Sequence, residues 1–570
     1  MRTSVALLIG LIFHAAAYAQ KPGSKAIPGR DYGRSMVVSR FGIVATSETL
    51  ASAAGADILR QGGSAVDAAI AANAVLGVTE SMMNGIGGDL FAIVYDAKTK
   101  AIYGINSSGW APSGLTIAFL KSKGITKELP RKSIYSVTVP GAVAGWDALH
   151  KRFGKLPLER VLTPAIYDAR NGVPIAEMMA EVWQSAPVLK DQPGFSQTFL
   201  PDGHAPETGE VFRNPDLANS LQRIAAHGRD GFYGGALAEK LVEFSKTQGG
   251  TLTKDDLADF EPEWVKPIST TYRGWTIFEL PPNSQGIAAL SMLNIMEQFP
   301  LHDYGQNSAK ALHVMIESKK LAYADLARYI GDPRFTPIPV PQLLSKDLAK
   351  RRADLIDPNH AHCSVVPSDI TEKLSKGKSD TTYLSVIDRE GNIVSLIQSN
   401  YSEFGTGLVA PGTGFVLQNR GEGFVLEPGK PDSLAPRKRP LHTIIPALMR
   451  KGDQVIGFGI MGGYNQAQAH AQFVSNIVDF GNNIQAALSA PRFTKLTFGG
   501  CDVMIESRVP REVRSELSGK GQELEILDAY SLAMGRGNAV TRDEHGVNYG
   551  ASDPRADGEA IPELPPWAKQ

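Results

Sequence analysis

Cysteine is nearly absent, with only Cys363 and Cys501 in 570 residues. That excludes a scaffold built on disulfides and leaves room for one bridge at most, which the sequence alone does not establish. The one stretch that resembles a metal site, "NHAHC", groups His360, His362 and Cys363. It has no second ligand cluster at a metal spacing, so no metal and no cofactor are expected. Net charge is lacking too: the formal value of −1 offers no basic footprint for nucleic acid. The dense run Arg437-Lys438-Arg439 sits between prolines and reads as a solvated loop or an anion contact. Beyond the N-terminus no long apolar run occurs, so no membrane span is expected there.

Several positive features remain. Arg2 precedes "VALLIGLIFHAAA", too short to cross a bilayer comfortably, and Ala17-Tyr18-Ala19 fits a signal-peptidase site. Residues 1–19 therefore read as a secretory signal, and a periplasmic or secreted location is expected. Hydrophobic residues make up 43% and charged residues 21%, which is globular composition able to fill one large core or several smaller ones.

Local patterns alternate between helix and strand. Ser47 is expected to open an alanine-rich helix that stops at Gly62-Gly63. Ser64 then caps the next helix, with Asp67 closing a capping box. Residues 90–108 read as strand, turn and strand. A mostly helical middle follows, and strands return at 382–387, 393–399, 414–417 and 454–459. The hairpin of 382–399 is apolar on both faces, which requires cover on both sides. The expected fold class is α/β (α+β): two stacked sheets with helices outside, a four-layer αββα sandwich.

"GFGIMG" places Gly457, Gly459 and Gly462 at the spacing of a dinucleotide fingerprint, with Asp479 further on. A nucleotide site would need a second parallel strand ending at that acid. The helix-like run "NQAQAHAQFVSNIVDF" fills the interval, so no nucleotide is expected. Gly462-Gly463, just before a helix, can instead point bare backbone N–H groups at an anion.

The polar run "LSKGKSD" cannot pack, and immediately after it Thr381 and Thr382 open an apolar strand. A threonine hydroxyl is a poor nucleophile until a base takes its proton. A cut between Asp380 and Thr381 would give Thr381 a free α-amine, whose ordinary pKa of about 7.7–8 suits that task. Gly462 and Gly463 would then form an oxyanion hole, one such donor being worth about 3 kcal/mol in the transition state. On this local pattern alone, two threonines that merely begin a strand explain the stretch better.

Longer segments carry a resemblance. "GGSAVDAAIAANAVLGVTE", "GIGGDLF", "VPGAVAGWDALHKRFGKL", "GGTLTKDDLADFEP", "YRGWTIFELPPNSQGIAAL", "DTTYLSVIDREGN", "FGTGLVAPGTGF" and "GASDPRADGEAIP" together resemble the γ-glutamyltransferase family of N-terminal-nucleophile hydrolases. The resemblance implies a proenzyme cut at Asp380–Thr381 into a large subunit, 20–380, and a small subunit, 381–570. The two would share one αββα domain. It also implies an acyl ester on Thr381, passed to water or to an amine, with Gly462 and Gly463 as the family's oxyanion glycines. The substrate would be a small γ-glutamyl compound, or alternatively a non-glutamyl amide taken by an amidohydrolase of the same fold.

Departures from the family pattern cluster in the acyl pocket. Ser108 of "NSSGWAP" stands where an arginine holds the glutamyl carboxylate. Gly423 of "QNRGEGF" replaces an acid that holds the amine, with Glu422 beside it. His442 and Thr443 replace two serines, and Ser399 and Tyr401 replace a threonine and an asparagine. Arg420 is a candidate replacement for the lost arginine, because a guanidinium fork matches a carboxylate, and a surface salt bridge is the equal alternative.

Overall fold

The computed structural model describes residues 33–366 and 380–565. The expected signal peptide and most of the "LSKGKSD" run lie outside that range. Asp380–Ile387 and Ile393–Tyr401 pair antiparallel, and alternation then sends their side chains to two different cores. Tyr383, Ile387, Ile393 and Ile397 point into one core, together with Leu448, Val455 and Val540 from a second sheet. Leu384, Val386, Val394 and Leu396 point the other way, into a core shared with helices. Both faces are buried, which is why the hairpin reads as apolar throughout.

Each sheet has seven strands. One runs Ala560–Pro562, Ile43–Ala45, Asp380–Ile387, Ile393–Tyr401, Asp89–Asp96, Ala101–Ser107 and Glu263–Val265. The other runs Val37–Ser39, Asn548–Ser552, Gly537–Arg542, Gln454–Ile460, Ala447–Lys451, Trp275–Glu279 and Ile268–Tyr272. Helices Ala65–Thr79 and Ala142–Phe153 cover the outside of the first sheet. Helices Gly286–Met296, Ala309–Tyr329 and Gln466–Val478 cover the second. The result is the expected αββα sandwich. Among the described residues no helix is long and apolar enough to cross a membrane.

The capping box of Ser64 and Asp67 forms as expected. The preceding helix starts later than Ser47, because Glu48 is its N-cap and its carboxylate accepts from the Leu50 and Ala51 amides. Residues 414–417 are not a strand. Gly412 and Gly414 take left-handed φ values of 68° and 77°, and only an isolated bridge from Val409 to Val416 forms. Lys438 and Arg439 are buried rather than solvated: Lys438 donates to the Ser433 carbonyl, and Arg439 pairs with Glu263 at 2.8 Å.

The glycines of "GFGIMG" have a packing role. A Cβ on Gly459 would sit 2.4 Å from the Tyr383 ring, and one on Gly457 would sit 2.5 Å from Ile393. These are the points where the two sheets touch. Asp479 accepts from the Tyr272 and Ser475 hydroxyls, each at 2.6 Å, and pairs with Arg273. It is a buried anchor for a helix end, not a ribose ligand.

Candidate active site

Thr381 shares its parity with Tyr383, so strand alternation directs it into the space between the sheets. Across that space Ser385 donates to the Gly457 carbonyl, and Tyr383 packs on Gly459. The Gly462–Gly463 turn begins two residues beyond the end of the Gln454–Ile460 strand. Both glycines are left-handed, at φ 121° and 58°, a geometry that turns successive N–H groups toward one side. The Gln285 side-chain amide donates to the Gly463 carbonyl at 2.7 Å and to the Thr443 carbonyl at 2.5 Å, locking this turn to the pocket wall.

Thr381 is wholly buried, and its hydroxyl donates to Ser399 Oγ at 3.2 Å. Ser399 Oγ also accepts from the Tyr401 amide at 2.8 Å and from Arg420 Nη2 at 3.3 Å. Arg420 Nη1 donates to Thr443 Oγ1 at 2.7 Å, and its guanidinium lies 4.2 Å from the Tyr401 ring centroid. Tyr401 has φ 78°, a strained value for a non-glycine residue, and this stacking together with the Ser399 bond holds it there. Four of the expected pocket residues, Ser399, Tyr401, Arg420 and Thr443, thus form one connected group beside Thr381.

Arg420 is wholly buried, and desolvation lowers its pKa to about 10 against the opposing pull of Tyr401, Asp89 and Glu422. It therefore remains cationic at neutral pH and is no surface salt bridge. Its Nε has no protein acceptor. Desolvation pushes Tyr401 up to about 12, so it stays neutral. Glu422 lies at the edge of the group, 3.6 Å from Arg131, and burial raises its pKa.

Two other expected residues, His442 and Ser108, are held by partners of their own. His442 Nε2 meets Asp89 at 3.0 Å, and its Nδ1 accepts from the Ile444 amide at 3.3 Å. An accepting Nδ1 requires a neutral ring, and desolvation lowers the pKa to about 4 in spite of Asp89. Asp89 also accepts from the amides of Gly109 and Gly141, so this pair joins three segments. Ser108 Oγ accepts from Asn283 at 3.1 Å, and its carbonyl accepts from Arg439. In "NHAHC", His362 lies 3.7 Å from Glu317, and the Cys363 sulfur is bonded to Cys501.

One network was not anticipated. Thr382 points to the helix-covered face, where its hydroxyl donates to Glu80 Oε2 at 2.9 Å and accepts from Asn84 at 2.9 Å. Burial holds the Glu80 carboxyl above its usual pKa, opposed by nearby Arg536. Glu80 and Asn84 thereby fix the backbone one residue beyond Thr381. The signal lay in "VTESMMNGIGGD", whose buried polar residues follow an apolar helix with no partner nearby in sequence.

A buried threonine at the start of an inner strand is thus joined through Ser399, Arg420, Thr443 and Gln285 to a two-glycine turn. Residues 51–563 match Gamma-glutamyltranspeptidase as a family. The chain belongs to that family. A glutathione hydrolase-like YwrD proenzyme of Bacillus subtilis is 37% identical over 92% of this chain and 99% of its own. An oxamate amidohydrolase proenzyme of Klebsiella pneumoniae is 36% identical over 92% of this chain and 98% of its own. Among solved structures, a cephalosporin acylase from Bacillus halodurans superposes with a TM-score of 0.87 at 40% identity. That match covers 97% of this chain and 100% of the acylase. As a member of the family the chain is an enzyme of the N-terminal-nucleophile hydrolase and transferase type, and its relatives are proenzymes processed into subunits.

Proposed function

We propose that this protein is a self-cleaving γ-glutamyl hydrolase and transferase whose nucleophile is Thr381. The observation that supports the reading is the hydrogen-bonded chain from Thr381 through Ser399 to Arg420 and Thr443, which Gln285 ties to the Gly462–Gly463 turn. In the precursor, Thr381 Oγ1 attacks the Asp380 carbonyl carbon. The peptide becomes an ester as the nitrogen leaves with a proton, and water hydrolyses that ester. The products are the large subunit, 20–380, ending in a carboxylate, and the small subunit, 381–570, beginning with the Thr381 amine.

In the mature enzyme that amine accepts the Thr381 hydroxyl proton as Oγ1 attacks the substrate amide carbon. The Gly462 and Gly463 amides donate to the developing oxyanion. Collapse expels the amine product, which takes the proton back. Water or an acceptor amine then resolves the acyl ester by the reverse path. Arg420 holds a carboxylate of the acyl group, with Ser399, Tyr401 and Thr443 orienting the guanidinium, while Glu422 sits at the pocket rim. The N-terminal pattern and the disulfide fit an exported enzyme in an oxidising compartment.

One observation favours a second reading, a non-glutamyl amidohydrolase. Ser108 leaves no cation at the family's carboxylate position, and the charge stands on Arg420 instead. Release of chromogenic aniline from a γ-glutamyl anilide, measured beside oxamate and cephalosporin side-chain amides, separates the two. Turnover of the anilide supports the first reading. Turnover confined to the other amides replaces it with the second.

A further inference from the structure

Cys363 lies upstream of the Asp380–Thr381 bond and Cys501 downstream, and the two are joined as a disulfide. We propose that after cleavage this disulfide is a covalent bridge between the subunits, fastening the end of the large subunit to the loop that backs the oxyanion turn. The inference rests on the cleavage described above.

The contacts around the bridge form a seam between the two sides of the cut. The Gly500 amide donates to the Cys363 carbonyl at 2.9 Å, and the Ala361 amide donates to the Lys520 carbonyl at 2.7 Å. Beneath the bridge Lys320 is buried and pairs with Glu317 at 2.7 Å. Its Nζ also donates to Gln522 at 3.1 Å and lies 3.6 Å from Cys501 Sγ. The other Glu317 oxygen accepts from the His362 amide at 3.2 Å.

From Cys501 the loop runs back toward the catalytic centre. Lys319 Nζ donates to the Thr497 carbonyl at 2.6 Å. The Phe498 ring meets the Tyr464 ring edge-on at 4.9 Å, and the Tyr323 hydroxyl donates to the Tyr464 carbonyl. Tyr464 is the residue directly after Gly463. The bridge therefore anchors the loop on which the oxyanion turn leans.

The chain needs such an anchor only once it is cut. Before cleavage the chain that carries Cys363 continues covalently into the strand that Thr381 opens. Afterwards that covalent tie is lost, and around Cys363 the segment packs through Ile356 and Val365 on a small cluster with Ile295, Leu321, Ala349 and Ala353. A segment with so few apolar contacts opens readily, and a cross-link restores the lost constraint. Bridge formation removes two electrons and two protons from the Cys363 and Cys501 thiols. A disulfide-bearing oxidant of the exported compartment accepts them by exchange and becomes a dithiol.

Denaturing electrophoresis of the purified enzyme with and without reductant tests the inference. Two bands with reductant and one full-mass band without it are expected. The Cys363→Ser variant is expected to give two bands in both lanes. Two bands from the unmodified enzyme without reductant would overturn the bridge while leaving cleavage intact. A single full-mass band with reductant would overturn the cleavage reading itself. Alkylation of denatured, unreduced enzyme gives an independent reading: no thiol modified supports the bridge, and two modified thiols refute it.

Discussion

Thr381 and Arg420 share one oxygen. Ser399 Oγ accepts from Thr381 at 3.2 Å and from Arg420 Nη2 at 3.3 Å. The proposed nucleophile and the buried cation are thus separated by a single hydroxyl, which on the proposed function couples substrate positioning to nucleophile orientation.

Ser399→Ala tests that coupling. It removes the acceptor of the Thr381 hydroxyl and leaves a buried guanidinium short of a partner, a loss of about 1–3 kcal/mol. Self-cleavage and turnover are both expected to slow by about 10-fold to 100-fold, since 1.4 kcal/mol is a factor of ten. The fraction of uncut chain on a reducing gel over time reports the first, and kcat the second. Unchanged rates would show that Ser399 does not orient the nucleophile.

Thr381→Ala removes the attacking oxygen, and the expected outcome is an uncut, inactive chain. Thr381→Ser keeps a hydroxyl but loses the methyl that limits χ1, so slower cleavage with residual activity is expected. Intact mass and the N-terminal sequence of the small subunit are the readouts. Activity in the uncut Thr381→Ala protein would refute the mechanism.

Arg420→Lys tests recognition. Lysine keeps the charge but cannot supply the planar fork that meets Ser399 and Thr443 together. For acyl groups that carry a carboxylate, kcat/KM is expected to fall by about 100-fold, the loss of a charged hydrogen bond of about 3 kcal/mol. Amides without a carboxylate should lose far less. A uniform loss across both substrate sets would assign Arg420 a purely structural role.

Much of this arrangement was legible from sequence, for identifiable reasons. The hairpin's unbroken apolar character required cover on both sides, and the two flanking cores supply it. The fate of the glycines in "GFGIMG" was only half legible. Their spacing matched a nucleotide fingerprint, but the clearance that matters is against Tyr383 and Ile393 on the opposite sheet. Periodicity cannot show contacts between distant segments. His442 illustrates the same limit, because its position alone could not reveal its partners Asp89 and Ile444. The Glu80–Thr382–Asn84 network escaped for that reason as well.

Gly459→Ala probes the sheet contact. The added methyl would stand 2.4 Å from the Tyr383 ring, whose hydroxyl is fixed by Ser385 and Ser395. Overpacking of this kind costs about 1–3 kcal/mol. A melting temperature lower by a few degrees and slower self-cleavage are expected, because Tyr383 lies two residues from Thr381. An unchanged melting temperature would mean that the sheets separate there at no cost.

The pH dependence of stability follows from buried neutral histidines. Desolvation lowers His442 from 6.5 to about 4 and His470 to about 3. Below pH 6.5 the unfolded chain takes up protons that the folded chain refuses, so the stability present at neutral pH drains away as pH falls toward those values. For His442 alone the full effect is on the order of 3 kcal/mol. Glu48 acts in the opposite direction. Burial raises it from 4.5 to about 7, so its contribution is complete below pH 4.5 and is lost as pH rises through about 7. Burial raises Glu80, Asp168, Glu279 and Asp432 as well, so carboxyls and histidines oppose one another on the acid side and His442 is read by difference. Relative to the unmodified enzyme, His442→Asn, which cannot take up the proton, is expected to gain urea midpoint as pH falls from 6.5 to 4. Equal slopes in the two proteins would mean that His442 titrates alike in the folded and unfolded chains.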